Sequence, residues 1–247
     1  MKSKIELNKD AIRLRNQMGV NSKDCIDLLN EILENFPEIT IIFCPISEKT
    51  SGICINKNNI QIICINSAMN LGRQRFTLAH ELYHLCIEKE IKFKVCNDNN
   101  YNDPSEIEAN EFASFLLMPE DALKNYIDSN RISSWNLDEI IKIEQYFQMS
   151  HDAMLISLKK FGCITEYDRQ QFKKIKITTA AKLRNFRTEL YETPLKPQHT
   201  VFGKYISLIE ELNSKDIISS GKRRELLLDA FRGDLVYNFN EDDDIFD

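Results

Sequence analysis

The sequence contains no apolar run that approaches the length needed to cross a lipid bilayer. It starts with Met1-Lys2-Ser3-Lys4 and continues as polar sequence, without the apolar core of a signal peptide. Its seven cysteines are an odd number and include no C-x-x-C pair, so we expect reduced thiols and no disulfide framework. Together these absences predict a cytoplasmic protein with no membrane partner.

Excess positive charge and internal repeats are absent as well. Lys and Arg number 32 against 38 Asp and Glu, for a net charge of −6, which argues against a chain that binds nucleic acid by its overall charge. What is present is a chain of 247 residues with 43% hydrophobic content. That is enough for one large or two modest domains with a real core.

The most informative stretch is residues 80–84, which have the form H-E-x-x-H. Histidines four residues apart lie on one face of a helix, so His80 and His84 can bind the same zinc ion. Glu81 can then reach a water on that metal and act as its general base. An exposed polar helix turn is the alternative. An apolar stripe opposite the histidines favours the buried helix that carries a metal; it consists of Leu78, Leu82 and Leu85.

A catalytic zinc site needs a third protein ligand and an open position for water. Cys86 and Cys96 are close in sequence, but Cys86 lies about 200° round the helix from His84 and points away. Better candidates are Glu106 and Glu108, on a second helix predicted over 105–118.

The ends of this second helix favour Glu106. Ser105 and Glu108 have the spacing of a capping box, and Pro119 ends the helix. If Glu108 is used in the cap, Glu106 is free to bind metal. Asn110, one turn further on, can then hydrogen-bond a ligand histidine.

Three blocks of the sequence resemble the ImmA/IrrE metallopeptidases. They are R-Q-R-F-T-L-A-H-E-L at 73–82, E-x-x-A-N-x-F-A at 106–113 and L-L-M-P at 116–119. The resemblance covers roughly residues 10–160, and it implies that His80, His84 and Glu106 bind Zn²⁺ with Glu81 as catalytic acid/base. The glutamate-x-x-x-Asn spacing is similar to the second helix of gluzincins, in which an acidic residue stands where this chain has Asn110.

The resemblance also implies a substrate, because relatives cleave helix-turn-helix repressors and so release stress-response, mobile-element or toxin–antitoxin genes. The predicted function is therefore a zinc endopeptidase that acts on a helix-turn-helix repressor or antitoxin. One alternative is a toxin or interaction protein of a toxin–antitoxin pair, bound by a helix-turn-helix antitoxin, in which zinc is mainly structural. An intact Glu81 favours the enzyme, since a structural site has no use for a base.

A second alternative is a DNA-binding regulator. Residues 134–147 and 150–160 have the spacing of two helices that resemble a helix-turn-helix. Their acidic residues argue against a surface that faces phosphates, and direct nucleic-acid binding is not expected; these residues are Asp138, Glu139, Glu144 and Asp152.

The predicted fold class is α+β. Helices over 8–17 and 22–36, the latter capped by Ser22, precede a small antiparallel sheet with strands at 39–43, 53–56 and 60–65. The active-site helix, the second ligand helix and the helix pair complete a metallopeptidase domain over 1–160. Residues 161–247 are predicted to form a mostly helical C-terminal module with an acidic tail at 241–244.

Four further features of the sequence have both a functional and a purely structural interpretation, and we expect the structural one in each case. Ser51-Gly52 allows close backbone approach but is expected to be an ordinary loop. His151 and Tyr126 are expected to be solvated or capping side chains that do not polarise a substrate carbonyl. The basic stretch 171–187 is expected to be a solvated strand and helix.

Overall fold

Among residues 1–88, 93–97 and 103–237, which the computed structural model describes, five strands form one mixed sheet in the order β4-β2-β3-β1-β5. The strands are β1 (Ile39–Cys44), β2 (Thr50–Lys57), β3 (Ile60–Asn66), β4 (Phe93–Asn97) and β5 (Thr200–Gly203). β1 runs parallel to β3, and the other pairs are antiparallel. The α+β class is confirmed, while the sheet is larger than predicted and mixed, because β2 and β3 form a hairpin and β1 adds beyond β3.

The N-terminal helices are α1 (Lys4–Gln17) and α2 (Leu28–Asn35). The predicted helix over 22–36 is too long, and Ser22 does not cap it. The guanidinium of Arg15, which is fully buried, donates to the carbonyl oxygens of Asn21 at 2.9 Å and Asp24 at 2.5 Å. These two carbonyls accept hydrogen bonds from a side chain and not from helical backbone N–H groups. Helix α2 begins only at Leu28.

Helix α3 (Leu71–Leu82) begins at Asn70, whose side chain accepts a hydrogen bond from the backbone N–H of Arg73 at 2.9 Å. It continues into a π-helical turn over Tyr83–Ile87. The apolar stripe is confirmed as core: Leu78, Leu82 and Leu85 are 2%, 0% and 5% exposed.

Helix α4 (Pro104–Leu117) packs against both α1 and α3. The predicted capping box of Ser105 with Glu108 is wrong. Asp103 is the N-cap, its side chain accepts from the backbone N–H of Ser105 at 3.0 Å, and Pro104 takes the first helical position. Glu108 accepts hydrogen bonds from the hydroxyl of Tyr83 and from the backbone N–H of Lys2.

The remaining helices are α5 (Glu120–Asn130), α6 (Leu137–Phe147), α7 (His151–Lys160), α8 (Glu166–Lys173), α9 (Ile177–Leu183), α10 (Lys204–Ser214), α11 (Ser220–Asp229) and α12 (Gly233–Tyr237). The predicted helix pair corresponds to α6 and α7. The basic stretch 171–187 contains the end of α8 and all of α9, and no strand, so the strand expected there is wrong.

The last third of the chain contributes a strand to the sheet as well as helices. β5 pairs with β1, with Thr40 opposite Gly203. The boundary at residue 160 stays a prediction, and the acidic tail at 241–244 lies outside the described residues.

All seven cysteines are free thiols, as expected; two of them, Cys54 and Cys96, are buried. In the described part of the chain, no helix combines the length and apolarity that a membrane crossing requires.

Candidate metal centre

Two imidazoles of the H-E-x-x-H segment face each other in the interior. His80 lies in the last turn of α3 and His84 in the π-helical turn, and they are 6% and 0% exposed. Their Nε2 atoms are 3.1 Å apart. Burial and the nearby His80 lower the pKa of His84, which keeps its imidazole neutral, the form that binds a metal.

Glu106 on α4 completes a three-sided arrangement. Its Oε2 lies 3.2 Å from Nε2 of His80, and its Oε1 lies 3.6 Å from Nε2 of His84. Burial raises the pKa of this carboxyl, but hydrogen bonds from His80 and Lys94 outweigh burial and hold the pKa at about 2. The structure thus brings the predicted third ligand to the two histidines as a carboxylate, whereas Glu108 is occupied by Tyr83 and Lys2.

The second nitrogen of each histidine has its own acceptor. Nδ1 of His80 lies 3.0 Å from Oδ1 of Asn110, at the position predicted for an orienting residue. Nδ1 of His84 lies 2.7 Å from Oε2 of Glu88, which also accepts from the hydroxyl of Ser105 at 2.8 Å. When a metal takes the place of the proton between Nε2 of His80 and Glu106, donation from both Nδ1 atoms would leave both Nε2 lone pairs to that metal. Sequence reasoning missed Glu88, although its spacing of four residues from His84 was an available signal.

Cys96 on β4 is a further donor at this site. Its side chain is buried, and its thiol lies 3.9 Å from Oε1 of Glu106. One ligand atom each from His80, His84, Cys96 and Glu106 all lie within 4.8 Å of one another. Cys86 is exposed and outside this group, as its helical position predicted. The only signal for Cys96 in the sequence is that it follows the H-E-x-x-H segment by few residues.

Glu81 is fully buried, and neither of its carboxylate oxygens has a hydrogen-bond partner among the described residues. Burial raises its pKa to about 7. A buried carboxylate without partners is costly and calls for an explanation. A zinc ion beside it, with a water to act on, supplies one, and the donor set of two imidazoles, a carboxylate and a thiol suits zinc. The residues present therefore fit the metal that the motif implies.

The backbone beside Glu81 is unusually close. Ser51 and Gly52 lie within β2, so the prediction of an ordinary loop there is wrong. The alternative, that Gly52 allows another group to approach the backbone closely, is correct. A Cβ atom built at position 52 would overlap Oε1 of Glu81 and lie 2.6 Å from Cγ2 of Thr77. Glycine is thus the residue that leaves room for the Glu81 carboxylate.

A cleft of about 810 Å³ leads from the metal-ligating residues to α7 and the α8–α9 connection. Its lining away from the metal group is apolar and charged of both signs, and includes Phe76, Ile156, Ile175, Lys173, Lys176, Glu111 and Asp152. A cleft of this volume has room for a peptide segment.

His151 lines the same cleft. The expectation that its side chain is solvated or caps a helix is wrong. Its Nδ1 lies 2.6 Å from Oε1 of the fully buried Glu144, and its Nε2 donates to the carbonyl of Phe172 at 3.1 Å. The hydroxyl of Tyr191 donates to Oε2 of Glu144 at 2.8 Å. The expectation for Tyr126 is also wrong, because its buried ring packs on Tyr146 and Phe147.

Residues 37–159 match the family model of peptidase family M78, described as the IrrE N-terminal-like domain. All of the metal-centre residues described above lie within this segment. No curated protein matches the chain.

Proposed function

Because residues 37–159 of this chain form an IrrE N-terminal-like domain of peptidase family M78, we propose that the protein is a cytoplasmic zinc endopeptidase. Its proposed substrate is a helix-turn-helix DNA-binding repressor or antitoxin. The observation that carries the catalytic part is the buried, unpartnered Glu81 next to His80, His84 and Glu106. The substrate class is supported by the resemblance of residues 73–119 to ImmA/IrrE enzymes.

His80, His84 and Glu106 would hold the zinc. When bound, zinc supplies a water of lowered pKa and polarises the peptide carbonyl. Glu81 accepts a proton on its carboxylate as the carbonyl is attacked, and gives it to the leaving amine. Asn110 and Glu88 hold the two imidazoles in orientation.

The cleft supports a peptide substrate. It passes His80 and Glu106 and continues between α7 and the α8–α9 connection. The exposed side chains of Lys173 and Lys176 stand on its rim. A segment with apolar side chains would match the apolar part of this lining.

A second candidate function is an interaction protein of a toxin–antitoxin pair with a structural zinc ion. One observation favours it: four protein donors, Cys96 included, gather at one point, as they do in structural zinc sites. Glu81 would have no chemical task in such a protein.

Cleavage of a candidate repressor distinguishes the zinc endopeptidase from the interaction protein. The zinc-loaded protein is incubated with candidate helix-turn-helix repressors from the same genome, and the products are identified by mass spectrometry. The enzyme predicts a discrete cut that Glu81→Gln abolishes and that the surface control Glu120→Gln leaves unchanged. A stable complex without cleavage, equally tight for Glu81→Gln, would establish the interaction protein instead.

A further inference from the structure

The four donors of the metal centre lie close enough together to share one zinc ion. Zinc bonds of about 2.0–2.3 Å to nitrogen, oxygen and sulfur place neighbouring tetrahedral ligands roughly 3.3–3.8 Å apart. The two histidine Nε2 atoms are 3.1 Å apart, Oε2 of Glu106 lies 3.2 Å from that of His80, and Oε1 lies 3.6 Å from that of His84. The Cys96 thiol lies 3.9 Å from the same Oε1, and one ligand atom from each of the four residues lies within 4.8 Å of the others. Small side-chain movements would therefore bring Cys96 into the same shell.

The strand pairing holds Cys96 in this position. β4 is the edge strand, bonded only to β2 within the described residues, and Cys96 pairs with Gly52. The register shifts between Thr50 and Gly52, so Ser51 is left over as a bulge, and its hydroxyl donates to the carbonyl of Cys96 at 3.2 Å. Bulges at sheet edges beside active sites commonly redirect a side chain.

A second observation points to a ligand in the same space. Gly52, the pairing partner of Cys96, is also the residue that makes room for Glu81. The carboxylate of Glu81 is fully buried and lacks hydrogen-bond partners in the described part of the chain. Gly52 thus links Cys96, by strand pairing, to the space that the proposed catalytic base occupies.

We propose that the Cys96 thiolate is a fourth ligand of the zinc ion and keeps the resting site closed. This inference rests on the proposed peptidase function. A shell of two histidines, one glutamate and one cysteine is complete, whereas a catalytic zinc site keeps one position open for water. The thiolate occupies that position, so hydrolysis requires that Cys96 first leave the metal. The side chain of Cys96 is in this sense an internal inhibitor on the edge of the sheet.

Cobalt substitution of the full-length protein tests the ligand directly. A Co²⁺–thiolate bond adds a charge-transfer band in the near ultraviolet, beside the visible bands of a four-coordinate ion. The wild-type protein should show this band. Cys96→Ala should lose it, while the matched control Cys54→Ala, which removes a buried cysteine on β2 outside the metal group, should keep it.

Affinity and activity test the closed state. Loss of a ligand should weaken zinc binding at least as much as loss of an outer-shell partner, by about 10–100-fold. At saturating zinc, Cys96→Ala should cleave substrate faster than wild type, since water can take the vacated position.

Each failure has its own signature. Wild-type protein that binds Co²⁺ without the charge-transfer band overturns Cys96 ligation and leaves the peptidase function standing. If the band depends on Cys96 but Cys96→Ala cleaves substrate more slowly than wild type, Cys96 is a ligand and the inhibitory role is overturned. Absence of any Co²⁺ binding overturns both this inference and the proposed zinc enzyme.

Discussion

Gly52 lies so close to the carboxylate of Glu81 that a Cβ atom at position 52 would overlap Oε1 of Glu81. Gly52→Ala should therefore displace the proposed general base while the metal ligands stay in place. We expect peptide cleavage to fall by at least about 100-fold, the usual contribution of a positioned general base, with zinc content unchanged. Metal analysis and a cleavage assay on the same preparation check this. Undiminished cleavage by Gly52→Ala would show that Glu81 does not act from this position.

The choice of third ligand can be tested with two neighbouring glutamates on one helix. Glu106→Gln removes the negative charge beside the histidines, and this variant should lose zinc on dialysis. Glu108→Gln should keep about one zinc per chain, because Glu108 contacts Tyr83 and Lys2 and not the histidines. Metal content per chain measured by mass spectrometry decides between them, and the reverse result would transfer the ligand role to Glu108.

Glu88 should matter for metal affinity although it does not face the metal. Glu88→Ala leaves Nδ1 of the fully buried His84 without its acceptor, so the tautomer that binds through Nε2 is no longer fixed. We expect zinc affinity to fall by about 10–100-fold, measured by competition with a chromophoric chelator. Glu120→Ala, a change on the exposed face of α5, is the control. Equal affinities for the two variants would contradict the role of Glu88.

Ionisation of Glu81 should destabilise the metal-free protein as pH rises. Burial raises the pKa of Glu81 from 4.5 to about 7, so the folded protein holds this proton more tightly than the unfolded chain does. The contribution of neutral Glu81 is complete below about pH 4.5 and is lost as pH rises through about 7. Glu81→Gln cannot ionise and lacks this loss.

Urea unfolding of chelator-treated wild type and Glu81→Gln at about pH 5 and about pH 8 measures the effect. Between these values the free energy of unfolding of wild type should fall by about 2–3 kcal/mol relative to the variant. Parallel pH profiles for the two proteins would show that Glu81 is not held in its neutral form.

The part of the site that depends on local geometry could be predicted from the sequence. The four-residue spacing of His80 and His84 sets two imidazoles on one helix face wherever that helix lies. The apolar stripe through Leu78, Leu82 and Leu85 showed which face is buried. The sequence favours Glu106 over Glu108 partly through a capping box that the structure does not contain, since Asp103 is the N-cap. Glu108 is indeed occupied, but its partners, Tyr83 and Lys2, belong to other elements.

Features that depend on strand pairing could not be predicted. Gly52 and Cys96 reach the metal centre because β4 pairs with β2 across a bulge, and nothing in the local sequence encodes that register. β5 is a four-residue strand in a region dominated by helical periodicity, so no run of alternating residues marks it. The buried pair of Glu144 and His151 depends likewise on the packing of α7 against α6 and α8.

The pairing of β5 with β1 has a consequence for synthesis of the chain on the ribosome. Gly203 emerges about 160 residues after Thr40, and at about 5–20 residues per second this takes roughly 10–30 s. During that time the whole metal centre has been made, but one side of β1 has no strand beside it. Unpaired edges of this kind recruit other chains. Rapid translation, or a chaperone that covers β1, should therefore increase the yield of folded protein without changing its final stability.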